Sequence, residues 1–514
     1  MLAKVYGSAV YGVSAVTITV EVHIAIGIGY HLVGLPDNSV KESHYRIAAA
    51  LLNNGYKIPG KKITINMAPA AHKKEGAAYD LTLAMGIIVA SAQIISPHIG
   101  DFVMMGELSL DGSILPVKGV LAMAIQAKDE QFKGLIVPIQ NAQEASVVQG
   151  ISVYGVSHIN EVIDFLSHTA TSQLSTTPLI PVQISVNPPL TDNPITPCFS
   201  EVKGQEGVKR CMEIAAAGGH NILLIGPPGA GKTMLAKRMP SILPPMSFEE
   251  ALETTKIHSV AGLLNQSGLL KARPFRNPHH SISDVALVGG GSFPQPGEIS
   301  LAHNGVLFLD ELPEFKKGVL EVLRQPMEDR SITISRAKYT ISYPSSFMLV
   351  ASMNPSPSGF FKGQKNSFQD SPADMHRYLA KVSGPLLDRI DLQIEVQPLS
   401  FEKLTDIHKS ESSTEILNRV NNARNIQTNR FLNKNGHTHN AQMNHAMVAE
   451  YCFISSNSKL LLKSAMKHLN LSARAYDRIL KVARTIADLE LSPAIESYHL
   501  AEAIQYRGMD RKLW

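Results

Sequence analysis

The segment GPPGAGKT, Gly226–Thr233, carries the densest chemical information in the chain. It follows the short apolar run NILLI (Asn221–Ile225) and precedes a helical pattern that opens near Met234. This is GxxxxGK[ST] in a strand–loop–helix setting. Gly226, Gly229 and Gly231 let the backbone turn its N–H groups inward, and a helix N-terminus adds positive potential at the same place. Such a loop suits phosphate oxygens. Lys232 is expected to reach the β- and γ-phosphates of a nucleoside triphosphate, and Thr233 to hold Mg²⁺. A second motif agrees with the first. Gly305–Glu311 reads GVLFLDE, an apolar run ending in two acids. A buried strand ending this way puts Asp310 at the carboxyl edge of a sheet, where α/β ligands bind. Asp310 is expected to hold Mg²⁺ through its water shell, and Glu311 to orient or deprotonate the attacking water. ATP and Mg²⁺ are the expected cofactors.

Elements must hold these groups in place. Residues 199–400 alternate apolar strands with helix patterns, as a parallel sheet does. Residues 401–514 lose the strand signals. Leu460–Leu469 and Arg474–Asp488 are helical in period, which predicts an all-helical module, whereas the Asn-rich stretch Asn421–Asn444 reads as a loop. Residues 168–198 carry Pro178, Pro181, Pro188, Pro189, Pro194 and Pro197 among Thr and Ser, which predicts a tether or strap. Residues 1–167 mix strand patterns at Ala15–Ile24, Lys62–Met67 and Leu135–Pro138 with helix patterns at Val40–Asn53 and Tyr79–Ser91, an α+β arrangement.

Composition sets the outer limits. The chain has 514 residues, 44% hydrophobic and 18% charged, with a net charge of +4. That is a globular composition with room for about three domains. The charge is too small to imply a nucleic-acid partner, so the placement of the basic residues must decide. The three cysteines, Cys198, Cys211 and Cys452, are scattered, which disfavours a disulfide scaffold and fits a cytoplasmic protein. The apolar stretch Leu81–Ile95 is too short to span a bilayer, and the alternation at Thr17–Ile24 reads as a strand rather than a signal peptide.

The motifs together resemble the AAA+ ATPases. PHHSISDVALVGGGSFPQPGEISLAHNGVLFLDELPEF (278–315) and SGPLLDRIDL (383–392) resemble their magnesium-chelatase-like branch. KVYGSAVYGV, VGLPDNSVKES and INMAPAAHKKEG resemble the ComM/YifB family within it. The resemblance implies an AAA+ core at 199–400 and a helical lid at 401–514. It also implies that Asn354 senses the γ-phosphate, that Arg389 is an arginine finger reaching a neighbouring subunit's nucleotide, and that Arg474 is a second sensor. A finger acting in trans requires a ring, so a homo-hexamer is implied.

GELSLDGSILPVKGVL (106–121) resembles the Lon protease domain, which has an S5-like fold. The Lon serine position falls on Ala78 and the lysine position near Leu121, so 1–167 is expected to keep the fold without proteolysis. Many relatives carry four cysteines after the sensor asparagine. Here MNPSPSGFFKGQKNSFQDSP has Ser356 and Ser358 in place of the first two, and no zinc is expected, since hydroxyls do not replace thiolates.

RSITISRAKYTISY, Arg330–Tyr343, alternates on both sides of a short break, a β-hairpin signal with its turn near Ser335–Lys338. Arg336 and Lys338 are expected at its tip. In related ring ATPases such a hairpin enters the central pore, where cations hold DNA phosphates without reading bases. Taken alone, Lys61–Lys62 and Lys73–Lys74 read as solvated charge. RPFRNPHH (273–280), even with His303, reads as a loop rather than a metal site. The resemblance implies an ATP-driven hexameric DNA motor, a helicase or translocase. Its task would be branch migration of recombination intermediates as donor DNA integrates during natural transformation, with recombination proteins as further partners. The alternatives are the ATPase subunit of magnesium chelatase and an ATP-driven protein unfoldase or scaffold.

Overall fold

The computed structural model describes residues 2–167, 179–182, 197–264, 268–291, 294–336, 339–359, 370–399, 401, 410–432, 434, 436–469 and 471–508. The chain divides into two compact units. One comprises Met1–Leu190 with Ala251–Leu270, and the other Thr191–Glu250 with Lys271–Trp514.

The first unit is built on a seven-stranded sheet. Its order is Gly29–Val33, Lys62–Ala68, Ser14–Ala25, Leu2–Tyr11, Phe102–Met104, Gly134–Pro138, Ser152–Val156. The pairings of Ser14–Ala25 with Leu2–Tyr11 and with Lys62–Ala68 are antiparallel, and the others are parallel. The TITVEVHI alternation explains its strand: Ile18, Val20 and Val22 are wholly buried while His23 is exposed. Each such burial contributes about 1.5–3 kcal/mol. The helix Asn38–Asn53 starts where the Asp37 carboxylate accepts the Val40 N–H (2.8 Å). The helix Asp80–Ala90 is buried almost all round, as its near-continuous apolar sequence requires.

One stretch departs from the sequence reading here. Residues 251–270 fall inside the span expected to be ATPase core, yet they pack in the first unit. Leu252 and Leu269 lie on its core, and the Ser259 hydroxyl donates to the buried Glu144 carboxylate. Most of the proline-rich stretch lies outside the described residues, but the Val182 N–H donates to the Val153 carbonyl (2.8 Å), tying residues 179–182 to the last strand of the sheet.

The second unit holds a five-stranded, wholly parallel sheet. Its order is Phe275–Arg276, Val306–Leu309, Met348–Met353, Ile222–Ile225, Leu392–Glu395. ILLI and VLFL are continuous apolar runs because both faces of these strands are covered. Phe275–Arg276, in the run read as a loop, is one of the two edge strands. Helices Ser413–Arg430, Ser456–Leu469 and Ala473–Leu489 follow, and their Ile416, Val420, Ile479 and Val482 share one core with Ile222 and Leu224.

Asn421–Asn444 corrects the expectation of a loop, because its first ten residues continue the helix Ser413–Arg430. A capping box between Ser412 and Glu415 starts that helix, and Ile416, Val420, Ala423 and Gln427 bury one stripe of it. The asparagines at 422, 425 and 429 lie on the exposed side, so their low helix propensity costs little against that burial. Lys74 is a second correction. It is fully buried, and its ammonium donates to the carbonyls of Gly34 (2.9 Å) and Pro69, so it is no solvated charge. Lys61 and Lys62 are exposed.

Candidate functional site

The strand Ile222–Ile225 runs directly into the glycine loop at the carboxyl edge of the parallel sheet. A Cβ at Gly226 would lie 2.3 Å from the Val396 carbonyl oxygen, so the loop leaves the strand through a gap that admits no side chain. Gly231 has φ +89°, a left-handed turn that points the following N–H groups back into the loop. Gly229 is left-handed too, at φ +76°. The helix Lys232–Ala236 starts on the loop's last residues.

Lys232 is 9% exposed. Its ammonium donates to the carbonyls of Gly226 (2.6 Å) and Pro227 (3.0 Å) and to Asn354 Oδ1 (3.0 Å). Burial pulls its pKa below the ordinary lysine value, against an opposing pull from Asp310 and Glu311. Thr233 Oγ1 donates to Asp310 Oδ2 (2.7 Å), and the Ser352 hydroxyl donates to Asp310 Oδ1. Ser352 Oγ in turn accepts the Glu311 N–H (3.2 Å). Glu311 itself is exposed and sits at φ +55°, a left-handed conformation in which a non-glycine residue is strained. Asn354 is fixed from behind, since Tyr378 OH donates to its carbonyl (3.1 Å).

Lys232, Thr233, Asp310, Glu311 and Asn354 are thus brought together at one sheet edge in two adjoining hydrogen-bonded groups, Lys232 with Asn354 and Thr233 with Asp310, Ser352 and the Glu311 backbone. Ser352 and Tyr378 were not foreseen. The signal for Ser352 was a hydroxyl in an otherwise apolar strand, two residues before Asn354. Arg389 and Arg474 are placed elsewhere. Arg389 is 6% exposed, with its guanidinium on Glu328 Oε1 (2.5 Å) and the Pro385 carbonyl (2.7 Å). Arg474 is exposed on the first turn of Ala473–Leu489. Arg336 is exposed beside the turn of the antiparallel pair Ser331–Arg336 and Tyr339–Pro344, where it faces Tyr339. Lys338 lies outside the described residues.

The donor set fits a nucleoside triphosphate with Mg²⁺. Backbone N–H groups and a buried ammonium suit phosphate oxygens, and a threonine hydroxyl beside a carboxylate offers the hard oxygens that Mg²⁺ prefers. Among the described residues no three His, Cys, Asp or Glu side chains gather into a further metal cluster. Ser356 Oγ is 2.9 Å from Ser358 Oγ, which donates to Asp370 Oδ2 (2.6 Å). Residues 360–369 are not described. In the first unit, Ala78 lies in the short helix Ala77–Tyr79, and Leu121 is fully buried on Val120–Asp129. No helix among the described residues is long and apolar enough to cross a membrane.

A parallel sheet with a glycine–lysine loop after one strand, an acid pair after the next but one and a helical C-terminal segment is the AAA+ class of P-loop fold. Comparison with known proteins takes this further. The family described as "Magnesium chelatase, subunit ChlI" matches residues 198–404, "Subunit ChlI of Mg-chelatase" matches 20–141, and "Magnesium chelatase, subunit ChlI C-terminal" matches 410–507. Competence protein ComM of Haemophilus influenzae is 45% identical over 514 residues, covering 100% of this chain and 98% of its own. YifB of Escherichia coli is 44% identical over 518 residues with the same coverage. Lon protease 2 of Bacillus subtilis is 26% identical over 166 residues, 30% of each chain. The chain belongs to the ComM/YifB family of magnesium-chelatase-like AAA+ proteins.

Proposed function

We propose that this protein is an ATP-hydrolysing DNA motor, a helicase or translocase working as a ring of six. Its task is branch migration of recombination intermediates as donor DNA is integrated during natural transformation. The observation that carries this reading is the connection between the nucleotide cluster and a cation-bearing hairpin. The hairpin Ser331–Pro344 closes at its base through the Ser345 N–H on the Arg330 carbonyl (2.8 Å). Three residues later the chain enters the strand Met348–Met353, which supplies Ser352 and leads into Asn354. Tyr343, fully buried, donates from its OH to the Pro294 carbonyl (2.8 Å), so the hairpin is anchored to the segment that precedes Glu298. A shift of Asn354 on loss of the γ-phosphate would reach Arg336 along this path.

In this reading Lys232 and the loop N–H groups bind the triphosphate, and Thr233 and Asp310 hold Mg²⁺, which supplies charge neutralisation on the phosphate oxygens. Glu311 accepts the proton of the attacking water. Asn354, on Lys232, reports whether the γ-phosphate is present. Arg389 must exchange Glu328 for a neighbour's phosphate to act as a finger, and Arg474 is the second sensor of the lid. Ser352→Ala removes the hydroxyl that positions both Asp310 and the Glu311 backbone, and hydrolysis is expected to fall about 10–100-fold with ATP affinity kept, read by steady-state rate and equilibrium binding. Partners in this reading are DNA of any sequence, single-stranded or branched, five further copies of the chain and recombination proteins of the cytoplasm.

DNA-stimulated ATPase is the test. Arg336→Ala should leave basal hydrolysis unchanged, lower the stimulation and flatten its salt dependence by about one phosphate contact per affected subunit. Hydrolysis indifferent to every polynucleotide, with a porphyrin-linked activity in its place, would favour the magnesium-chelatase subunit. Stimulation by unfolded polypeptide alone would favour the unfoldase.

A further inference from the structure

The sheet of the second unit has a second charged place, at the edge opposite the nucleotide loop. A cavity of about 140 Å³ lies where Asn221, Gly305 and Met348 lead into their strands, so it sits at the far end of Ile222–Ile225, roughly 16 Å from Gly226. Six cations line it: Arg273, Arg330, Arg389, Arg424, Arg478 and Lys481. Three of them have carboxylate partners. Arg273 pairs with Glu250 (2.9 Å), Arg478 with Asp391 (2.7 Å) and Arg389 with Glu328 (2.5 Å). Among the described residues, Arg330, Arg424 and Lys481 form no ion pair. Cations held partly out of water without counter-charge are costly, and these three half-buried ones come from three separate parts of the chain that the fold converges on one space.

Unused hydrogen-bonding capacity points the same way. Ser345 is fully buried and lines the cavity, and its Oγ has no hydrogen-bond partner. Arg389 Nε, Arg424 Nε and His439 Nδ1 are likewise buried without one. Burial brings Arg424 down to about 9, with Arg273 adding to the fall, and Arg330 down to about 10. His439 is pushed well below its ordinary value by burial and by Arg424 and Arg330. An oxyanion would answer all of these groups at once.

We propose that this cavity is an anion site, separate from the nucleotide loop, for a phosphate-class anion, either free phosphate or diphosphate or the polyphosphate tail of a nucleotide. The volume corresponds to roughly ten water positions, which suits a phosphate or diphosphate group and not a nucleoside as well. Arginine guanidiniums and a serine hydroxyl are the donors such oxygens take.

The test uses the full chain carrying Lys232→Ala, which silences the nucleotide loop. Inorganic phosphate, diphosphate and ATP are titrated by calorimetry and by melting temperature. Saturable binding at one site per chain is expected, weakened at least about tenfold by Arg424→Gln and by Arg330→Gly. Arg330 sits at φ +53°, where glycine is favoured, so Arg330→Gly should melt no lower than its parent when no anion is added, which separates lost binding from lost folding. Binding of the inorganic anions identifies a free-anion site, and binding of ATP alone, lost in Arg424→Gln, identifies a nucleotide-tail site. Absence of saturable binding, or equal affinity in both variants, would mean that the cavity holds water only and would overturn the proposal.

Discussion

Glu311→Gln should bind ATP with the affinity of the unchanged chain and hydrolyse it about 10²–10⁴-fold more slowly. The amide matches the carboxylate in shape and keeps the backbone N–H on Ser352, so the loop and Asp310 stay in place. Only the ability to take a proton is lost. The left-handed backbone at this position offers a second check. Glu311→Gly should be equally inactive yet more stable, since it relieves strain of roughly 1 kcal/mol. Equilibrium binding, single-turnover rates and thermal melts on the two variants measure both effects. Turnover within a few-fold of normal in Glu311→Gln would remove this residue from its role.

Arg389→Ala should lower hydrolysis by about 10³-fold or more if its guanidinium reaches a neighbour's nucleotide. Mixing it with Lys232→Ala should restore part of the activity, because mixed rings contain interfaces with an intact loop on one side and an intact finger on the other. The pairing with Glu328 sharpens the test. Glu328→Gln frees the guanidinium and should preserve or raise hydrolysis. If Arg389 serves only as the buried partner of Glu328, that variant should lose activity and stability along with Arg389→Ala, and no mixture should recover.

The nucleotide cluster was legible because its parts are local. A strand, a glycine loop and a helix start adjoin within Asn221–Met234, and the acid pair ends its own apolar run. The hairpin was equally plain from alternation around a short break. Ser352 was not legible, since one serine in an apolar strand gains meaning only when parallel pairing lays Met348–Met353 beside Val306–Leu309. The helix through Asn421–Arg430 was hidden by composition, because a buried stripe every three or four residues outweighed the asparagines between. The cationic cavity could not be read at all, as its arginines are scattered from 273 to 478 and meet only through tertiary packing. Lys74 shows the same limit: adjacent lysines look alike in sequence, and only the fold decides that one enters the core.

The return of residues 251–270 to the first unit bears on how the protein can be taken apart. The polypeptide passes between the units at three places, near 190, 250 and 270. Cutting it at the proline-rich stretch would therefore yield an amino-terminal fragment lacking Leu252, Leu269 and Ser259, with the Glu144 carboxylate deprived of a donor. The remaining fragment would display those same apolar side chains to water. Deletion studies that treat the two halves as beads on a string would be comparing two incomplete bodies, whereas a circularly rearranged gene that keeps 251–270 beside 1–190 would not.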